Sequence, residues 1–201
     1  MSLRPRCGNC LRPQAACLCR WVTPVAHGAE VLILQHPLET DNPKGTARLL
    51  HLSLSSSRLL TGEVFDPVLW QPPGSARYNL LLYPDMPSDR ACGWPVPPSA
   101  GRLVDTSQLR LVVLDGTWRK SRRMLHLNPA LQQLPRLSLQ DLPASAYHIR
   151  PARRPGQLST LEAVCTALAQ LEGDAARFQP LLQAFDGFVA QQAAYSARAG
   201  S

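Results

Sequence analysis

The sequence predicts an α/β fold in which helices cover a mostly parallel sheet, preceded by a small cysteine-rich head. Short apolar runs alternate along the chain with segments of helical periodicity, a pattern typical of a parallel sheet covered on both faces. Four of the six cysteines fall within the first nineteen residues, in a stretch too short for an apolar core of its own. We therefore expect a metal-binding head over residues 1–26 and an α/β domain over residues 27–201.

Three apolar runs, at residues 31–34, 79–83 and 109–114, predict the buried strands of the sheet. Polar elements stand at the end of each run: Gln35-His36-Pro37, Tyr83-Pro84-Asp85 and Asp115-Gly116-Thr117-Trp118. Ligands of parallel sheets bind outside the carboxyl ends of the strands. The three elements together therefore predict a site at one edge of the sheet.

Four segments predict helices, at residues 46–60, 118–127, from Ser159 onward and 177–195. The third has the clearest start, because Ser159 and Glu162 have the spacing of a capping box. An apolar stripe at helical spacing follows from Leu161 and includes Cys165, which we interpret as a core residue.

The clustered cysteines, at positions 7, 10, 17 and 19, predict a metal centre. Four thiolates complete a tetrahedral zinc shell, and the Gly8-Asn9 turn lets Cys7 and Cys10 face one ion. Cys7, Cys10, Cys17 and Cys19 are the predicted ligands. An iron–sulfur cluster is the alternative, because four thiolates do not by themselves select the metal.

Composition indicates a nucleic-acid partner without deciding it. The formal net charge is +7 and the pI about 9.5, and arginine supplies nearly all of the positive charge. A GC-rich genome also enriches arginine, alanine and proline, so the charge alone leaves both explanations open. No secretory signal or membrane-length apolar segment is visible, so we expect a cytoplasmic protein without disulfides.

Asp115 is the candidate general base, since a carboxylate at the end of an apolar strand has its pKa raised by desolvation. The alternative is a cap for the helix that starts near Trp118. Trp118 could stack on a base or serve as a core anchor. Sequences for nucleotide hydrolysis, zinc proteolysis and serine hydrolysis are absent from the chain.

Two basic runs are candidate phosphate contacts, with an ordinary solvated surface as the alternative. The first is at the start of the second helix: Arg119, Lys120, Arg122 and Arg123. The second precedes Ser159: Arg150, Arg153 and Arg154. The N-terminal end of the helix at Ser159 could also bind a carboxylate, although the capping box alone explains Ser159 and Glu162.

In their order along the chain, these elements resemble the DTW-domain family. The resemblance rests on the cysteine head, Gln35-His36-Pro37-Leu38-Glu39, Lys44-Gly45-Thr46-Ala47-Arg48, Tyr83-Pro84, Asp115-Gly116-Thr117-Trp118 and Leu158-Ser159-Thr160-Leu161-Glu162-Ala163. The family often has Asn-Thr-Gly-Arg where this chain has Gly45-Thr46-Ala47-Arg48. The resemblance implies a SPOUT-like, trefoil-knotted α/β fold and a tRNA-uridine aminocarboxypropyltransferase. Such an enzyme moves the 3-amino-3-carboxypropyl group of S-adenosylmethionine to N3 of a tRNA uridine and releases methylthioadenosine.

The resemblance also implies roles for individual residues. Asp115 is expected to take the N3 proton. The expected cofactor-binding residues are Tyr83, Pro84, Asp115, Thr117, Trp118, Leu158, Ser159, Thr160 and Glu162. The expected RNA contacts are His36, Arg48 and the two basic runs. A SPOUT-type RNA methyltransferase and a non-catalytic zinc-ribbon RNA-binding protein remain alternatives. The expected partner is tRNA rather than DNA or a membrane, and monomer and homodimer both stay open.

Overall fold

The computed structural model describes residues 5–84, 105–139 and 158–199, with side chains through residue 194. Its centre is a five-stranded parallel sheet with the strand order β2-β1-β4-β3-β5. The strands are β1 (Glu30–Gln35), β2 (Ser57–Thr61), β3 (Tyr78–Leu82), β4 (Leu109–Asp115) and β5 (Arg136–Leu137). The register of β1 and β4 pairs Gln35 with Asp115 at their carboxyl ends. The predicted parallel α/β sheet is thereby confirmed.

Side chains of β1 and β4 alternate between two apolar layers, as a sheet buried on both faces requires. On one face, Val31, Ile33 and Val113 pack with helices α1 (Ala47–Ser53), α4 (Thr160–Glu172) and α5 (Gln179–Ala199). On the other face, Leu32 and Val112 pack with Trp70 and with helices α2 (Trp118–Leu127) and α3 (Pro129–Gln132).

The helix predicted over residues 46–60 is wrong in its second half. Helix α1 ends at Ser53, and residues 57–61 form the edge strand β2. The hydroxyl of Ser57 can donate its single proton to the carbonyl of His51 or of Leu54, at 3.0 and 3.2 Å, which offers these carbonyls an alternative to helical hydrogen bonds. Three consecutive serines at positions 55–57 provide hydroxyls that can compete with helical hydrogen bonds for backbone groups.

The other predicted elements are confirmed within one to four residues. Strand β3 begins one residue before the prediction, and β4 extends one residue beyond it to include Asp115. Helix α2 has the predicted bounds, and α4 begins with the predicted capping box. The two-residue strand β5 and the short helix α3 had no sequence prediction.

The cysteine head is packed onto the same apolar layer as the sheet. Cys10 and Leu18 are buried among residues of β1, α1 and α5. The indole N–H of Trp21 donates to Gln191 Oε1 at 2.5 Å, and the Arg12 guanidinium lies 5.1 Å from the ring centre of Phe188. Helix α5 therefore forms part of the surface on which the head lies. The division at residue 26 stays a prediction.

Gly187 allows Trp21 to approach α5 closely, because a Cβ at this position would overlap the indole ring. Replacement of Gly187 by alanine is expected to destabilise the protein by about 1–3 kcal/mol through overpacking. Helix propensity alone predicts the opposite sign, a gain of about 0.5–1 kcal/mol. Thermal unfolding would measure this, with Gly8→Ala as the control because no atom lies within 4 Å of the Cβ position there. An equal or raised melting temperature for Gly187→Ala would contradict this packing.

Residues 85–104 and 140–157, on which the test of a knot would depend, lie outside the described ranges. The knotted SPOUT-like topology therefore stays a prediction. In the described part of the chain, no helix has the length and apolar character needed to span a membrane.

Candidate active site and metal centre

A cavity of about 290 Å³ opens at the carboxyl edge of the sheet. Its walls come from the ends of β3 and β4, the starts of α2 and α4, and the residues after β5. The residues that line it are Leu82, Tyr83, Pro84, Val113, Leu114, Gly116, Thr117, Trp118, Ser121, Leu137, Ser138, Leu139, Leu158, Ser159, Thr160 and Ala163. Apolar walls with a few convergent hydroxyls are typical of a small-molecule site.

Most of the predicted cofactor-binding residues meet in this cavity. Those that line it are Tyr83, Pro84, Thr117, Trp118, Leu158, Ser159 and Thr160. Asp115 and Glu162 are not among the lining residues. The wall at residues 137–139 was not anticipated, because a strand of two residues leaves no periodicity in the sequence.

Trp118 forms an aromatic rim with Tyr83. The two ring centres are 5.8 Å apart and the ring planes meet at 74°, an edge-to-face contact. Trp118 is 51% exposed at the first position of α2, while Tyr83 is buried. The alternative that Trp118 is a core anchor is therefore wrong, and its ring is available to stack on a planar ligand.

Asp115 lies at the last position of β4 with only 5% of its surface exposed. The Thr160 hydroxyl donates to its Oδ1 at 2.7 Å, and the Gln35 side-chain amide donates to its Oδ2 at 2.9 Å. The side chain caps nothing at the start of α2, where the Thr117 hydroxyl accepts from the Lys120 N–H instead. The alternative of Asp115 as a helix cap is therefore wrong.

Burial raises the pKa of the Asp115 carboxyl above its ordinary value of 3.8, against the opposing effect of the hydrogen bonds from Thr160 and Gln35. A carboxylate with a raised pKa is a stronger proton acceptor than an exposed one. This is the electrostatic property expected of a base, and it arises here from desolvation.

Thr160 joins this carboxylate to the cavity. An ionised carboxylate only accepts hydrogen bonds, so the Thr160 hydroxyl must donate its single proton to Asp115. Because Thr160 lines the cavity, the lone pairs of its hydroxyl oxygen can then accept a hydrogen bond from a ligand. Asp115 thus makes Thr160 an obligate acceptor toward any bound N–H group.

Most backbone N–H groups in the N-terminal turn of α4 already have hydrogen-bond acceptors. The Ser159 hydroxyl accepts from the Glu162 N–H, and the Glu162 carboxylate accepts from the Ser159 N–H at 2.7 Å. The Leu161 N–H donates to the Thr46 hydroxyl. Among the described residues, only the Thr160 N–H of this turn is left to hold an anion.

The predicted RNA contact His36 is a buried histidine with a partner at each ring nitrogen. Its Nδ1 accepts from the Leu38 N–H at 3.1 Å, so its Nε2 carries the proton toward Glu63 Oε1 at 2.7 Å. With 4% of its surface exposed, His36 fixes the turn after β1.

The basic residues of α2 differ in their exposure to solvent and in their ion pairs. Arg119 is exposed and Arg122 half-buried, whereas Arg123 reaches Glu63 at 3.3 Å. The Lys120 ammonium forms an ion pair with Glu39 at 2.6 Å. Arg48 lines a second cavity, beside the cysteine head. The predicted contacts Arg150, Arg153 and Arg154 lie outside the described residues.

The four head cysteines converge as predicted. Cys7 Sγ is 3.6 Å from Cys19 Sγ, Cys10 Sγ is 3.7 Å from Cys17 Sγ, and all four sulfurs lie within 4.8 Å of one another. A tetrahedron with zinc–sulfur bonds of about 2.3 Å has edges of about 3.8 Å. The separations therefore fit four thiolates around a single ion better than thiolates spread over the irons of a cluster.

The thiols also differ in acidity. Backbone N–H groups of Cys10 and Asn9 lower the pKa of the Cys7 thiol to about 6. Burial is the main cause that raises the pKa of the Cys19 thiol to about 12, and the neighbouring cysteine sulfurs, whose repulsion disfavours a second thiolate, add to this rise. A bound cation would remove this repulsion, since metal ligation requires the deprotonated form of each thiol.

Sequence comparison assigns the chain to a family. The DTW domain family matches residues 4–193. The chain belongs to the DTW domain family. A Drosophila melanogaster relative named tRNA-uridine aminocarboxypropyltransferase 2 is 32% identical over 182 residues, which are 84% of this chain and 67% of the relative.

Other relatives of this family carry similar names. A Mus musculus tRNA-uridine aminocarboxypropyltransferase 2 is 29% identical, over 84% of this chain and 57% of its own length. An Arabidopsis thaliana tRNA-uridine aminocarboxypropyltransferase A is 32% identical, over 61% of this chain and 50% of its own length. The chain thus spans about half to two thirds of these relatives. No solved structure matches it.

Proposed function

We propose that this DTW-domain protein is a tRNA-uridine aminocarboxypropyltransferase that uses S-adenosylmethionine as the donor. The names of its relatives support the activity and the tRNA substrate. The observation that carries the proposal in this chain is the Thr160–Asp115 pair, which presents a proton acceptor at the wall of a ligand-sized cavity. Cytoplasmic location and the knotted SPOUT-like fold are parts of the same proposal.

The reaction requires a uridine nitrogen to lose its proton as it attacks a carbon. The bond from N3 to the γ-carbon of the donor forms while the bond from that carbon to the sulfonium breaks, and the electron pair leaves with methylthioadenosine. The donor supplies both the electrophilic carbon and the leaving group. The protein's tasks are then to align the two reactants and to accept one proton.

Thr160 and Asp115 are the proposed proton path. The N3–H of the uridine donates to the Thr160 oxygen, and the Thr160 proton moves along the 2.7 Å hydrogen bond to Asp115 Oδ1. The net result is the transfer of one proton from N3 to the carboxylate. The Thr160 hydroxyl has one proton both before and after the step. Gln35 holds the other carboxylate oxygen and fixes the orientation of the group.

The residues of the cavity fit the donor by chemistry. Trp118 and Tyr83 offer an aromatic rim for an adenine, and Leu82, Val113 and Leu137 offer an apolar wall. The Thr160 N–H is the proposed seat for the methionine carboxylate. Glu162 is proposed to act only through the capping box that shapes this turn.

Replacement of Trp118 by alanine is expected to weaken S-adenosylmethionine binding by roughly 1–3 kcal/mol, about 5- to 150-fold, through loss of stacking. Isothermal titration calorimetry would measure the loss, with Trp118→Phe as the variant that keeps most of the affinity. Because Trp118 is half-exposed and loses only its edge contact with Tyr83 among the aromatic rings of the rim, the melting temperature should change little. Equal affinity of the alanine variant and the original protein would remove Trp118 from the site.

Zinc is the proposed metal of the head, with Cys7, Cys10, Cys17 and Cys19 as its ligands. Its proposed role is structural, since four protein ligands leave no open coordination position. The zinc-bound head, Arg48, Arg119, Arg122 and Arg123 are proposed to contact tRNA. Arg150, Arg153 and Arg154 are proposed to do so as well.

The function is tested by the small-molecule product. Purified protein is incubated with unmodified tRNA and S-adenosylmethionine labelled in the aminocarboxypropyl carbons, and nucleosides and small molecules are analysed by mass spectrometry. The expected result is labelled aminocarboxypropyluridine with an equal amount of methylthioadenosine. Release of S-adenosylhomocysteine would establish a methyltransferase instead. No product, and no heat of binding with S-adenosylmethionine, would leave a non-catalytic RNA-binding protein.

A further inference from the structure

A second cavity, of about 190 Å³, lies between the cysteine head and the sheet. The head supplies Arg6, Cys10 and Arg12 to its lining, and the domain supplies Gln35, residues 39–43, Gly45 and Arg48. Gln35 also donates to Asp115, whereas the first cavity is linked to the same carboxylate through Thr160. The two cavities are thus joined through one side chain.

Among the described residues that line this second cavity, not every positive side chain is paired with a carboxylate. Asp41 pairs with Arg6 at 2.9 Å, and Glu39 pairs with Lys120 at 2.6 Å. No described carboxylate pairs with Arg12 or Arg48. The cavity therefore has a surplus of guanidinium groups, a surrounding that attracts an anion.

Arg12 and Arg48 have different tasks in this cavity. The Arg12 guanidinium donates to the carbonyls of Asn42, Pro43 and Gly45, which ties the head to the loop. It lies beside Cys10, so part of its charge offsets the thiolates of the head. Arg48 is half-buried, and no described residue accepts a hydrogen bond from it. Arg48 is therefore the group left to bind a ligand.

We propose that this second cavity binds a phosphate group of the RNA strand, with Arg48 as the main contact. Guanidinium groups recognise phosphate through two parallel N–H donors, and Arg12 adds positive charge nearby. Gln35 connects the cavity to Asp115, so the bound phosphate belongs to a nucleotide close to the reacting uridine. The inference rests on the proposed function for its ligand, and it gives the head a role as one wall of the RNA site.

The test compares Arg48→Gln with Arg58→Gln in the full zinc-loaded chain. Arg58 is the matched control because its guanidinium donates to the Leu69 carbonyl and lines neither cavity. The affinity for unmodified tRNA is measured over a series of salt concentrations. Loss of one phosphate contact should reduce the slope of log affinity against log salt by about 0.7–0.9 for Arg48→Gln and leave it unchanged for Arg58→Gln.

A second experiment requires neither tRNA nor transferase activity. Inorganic phosphate is titrated with each protein while its ³¹P line width is recorded. Broadening by the original protein and Arg58→Gln, but not by Arg48→Gln, is the expected result, and it stays readable even if no transferase activity exists. An unchanged salt slope in Arg48→Gln would overturn the proposal. If only the phosphate signal is lost, the cavity binds a free anion and the assignment to RNA is wrong.

Discussion

Replacement of Asp115 by asparagine is expected to reduce the transfer rate by about 10²–10⁴-fold while the fold stays intact. The substitution preserves the shape of the side chain and reverses one hydrogen bond. The Gln35 NH₂ group donates to this side chain, so with Gln35 in its present orientation the new amide oxygen faces Gln35 and the new NH₂ group faces Thr160. Thr160 would accept from this group and point its own proton into the cavity, where the uridine N–H needs an acceptor.

Thr160 variants separate this explanation from simple loss of a charge. Thr160→Ser keeps the hydroxyl and should retain most of the activity, whereas Thr160→Val removes it and should approach the loss seen for Asp115→Asn. The effects of Thr160→Val and Asp115→Asn should not add in the double variant, because both remove the same proton path. Additive losses would show that the two residues act separately.

Stability distinguishes a catalytic Asp115 from a structural one. Its pKa is raised in the folded protein, so the folded state binds this proton more tightly than the unfolded chain does. The ionised carboxylate therefore lowers the free energy of unfolding at neutral pH, and the cost disappears as the pH falls through the folded-state pKa. Asp115→Asn should thus melt at the same or a higher temperature at pH 7. A clearly lower melting temperature would indicate a structural role.

Loss of the head metal is the second large expected effect. Cys10 is 2% exposed and faces the apolar layer that α5 and the sheet share. The head is too short to fold on its own apolar contacts, so removal of the ion should release it and expose this layer. Cys10→Ser is expected to lose the metal and to lower the melting temperature by many degrees.

Cys165→Ser is the matched control, because Cys165 is 1% exposed in α4 and lies outside the cysteine cluster. Elemental analysis should find about one zinc per chain in the original protein and in Cys165→Ser, and none in Cys10→Ser. Both serine variants place a hydroxyl in a buried position, so the difference between their melting temperatures reports the metal. Equal melting temperatures would contradict a structural role for the ion.

The sequence predicted the parts of the site that depend on local signals. Four cysteines at short spacing, a capping box at Ser159 and polar residues after apolar runs all reflect chemistry within a few residues of the chain. The structure brings these segments together around one cavity, because the carboxyl ends of parallel strands meet at one edge.

What the sequence could not show depends on contacts between distant residues. The bonds from Gln35 and Thr160 to Asp115 span 80 and 45 positions. The first follows from the parallel register of β1 and β4, and the second from the packing of the start of α4 against the end of β4. The pairing of Lys120 with Glu39 and the burial of His36 are likewise tertiary and could not be read from the sequence. The RNA contacts expected of these two residues stay predictions. The edge strand β2 was missed because its half-exposed leucines have no alternation to mark a strand.

The most direct test of the proton path is the pH dependence of the single-turnover transfer rate with saturating tRNA and donor. The rate should rise as the pH increases through one ionisation, at a pH above the ordinary carboxyl value of 3.8, and then level off. Asp115→Asn should show a low rate without this ionisation, and Thr160→Ser should retain it. The same ionisation in Asp115→Asn, at an undiminished rate, would contradict the role of Asp115 as the base.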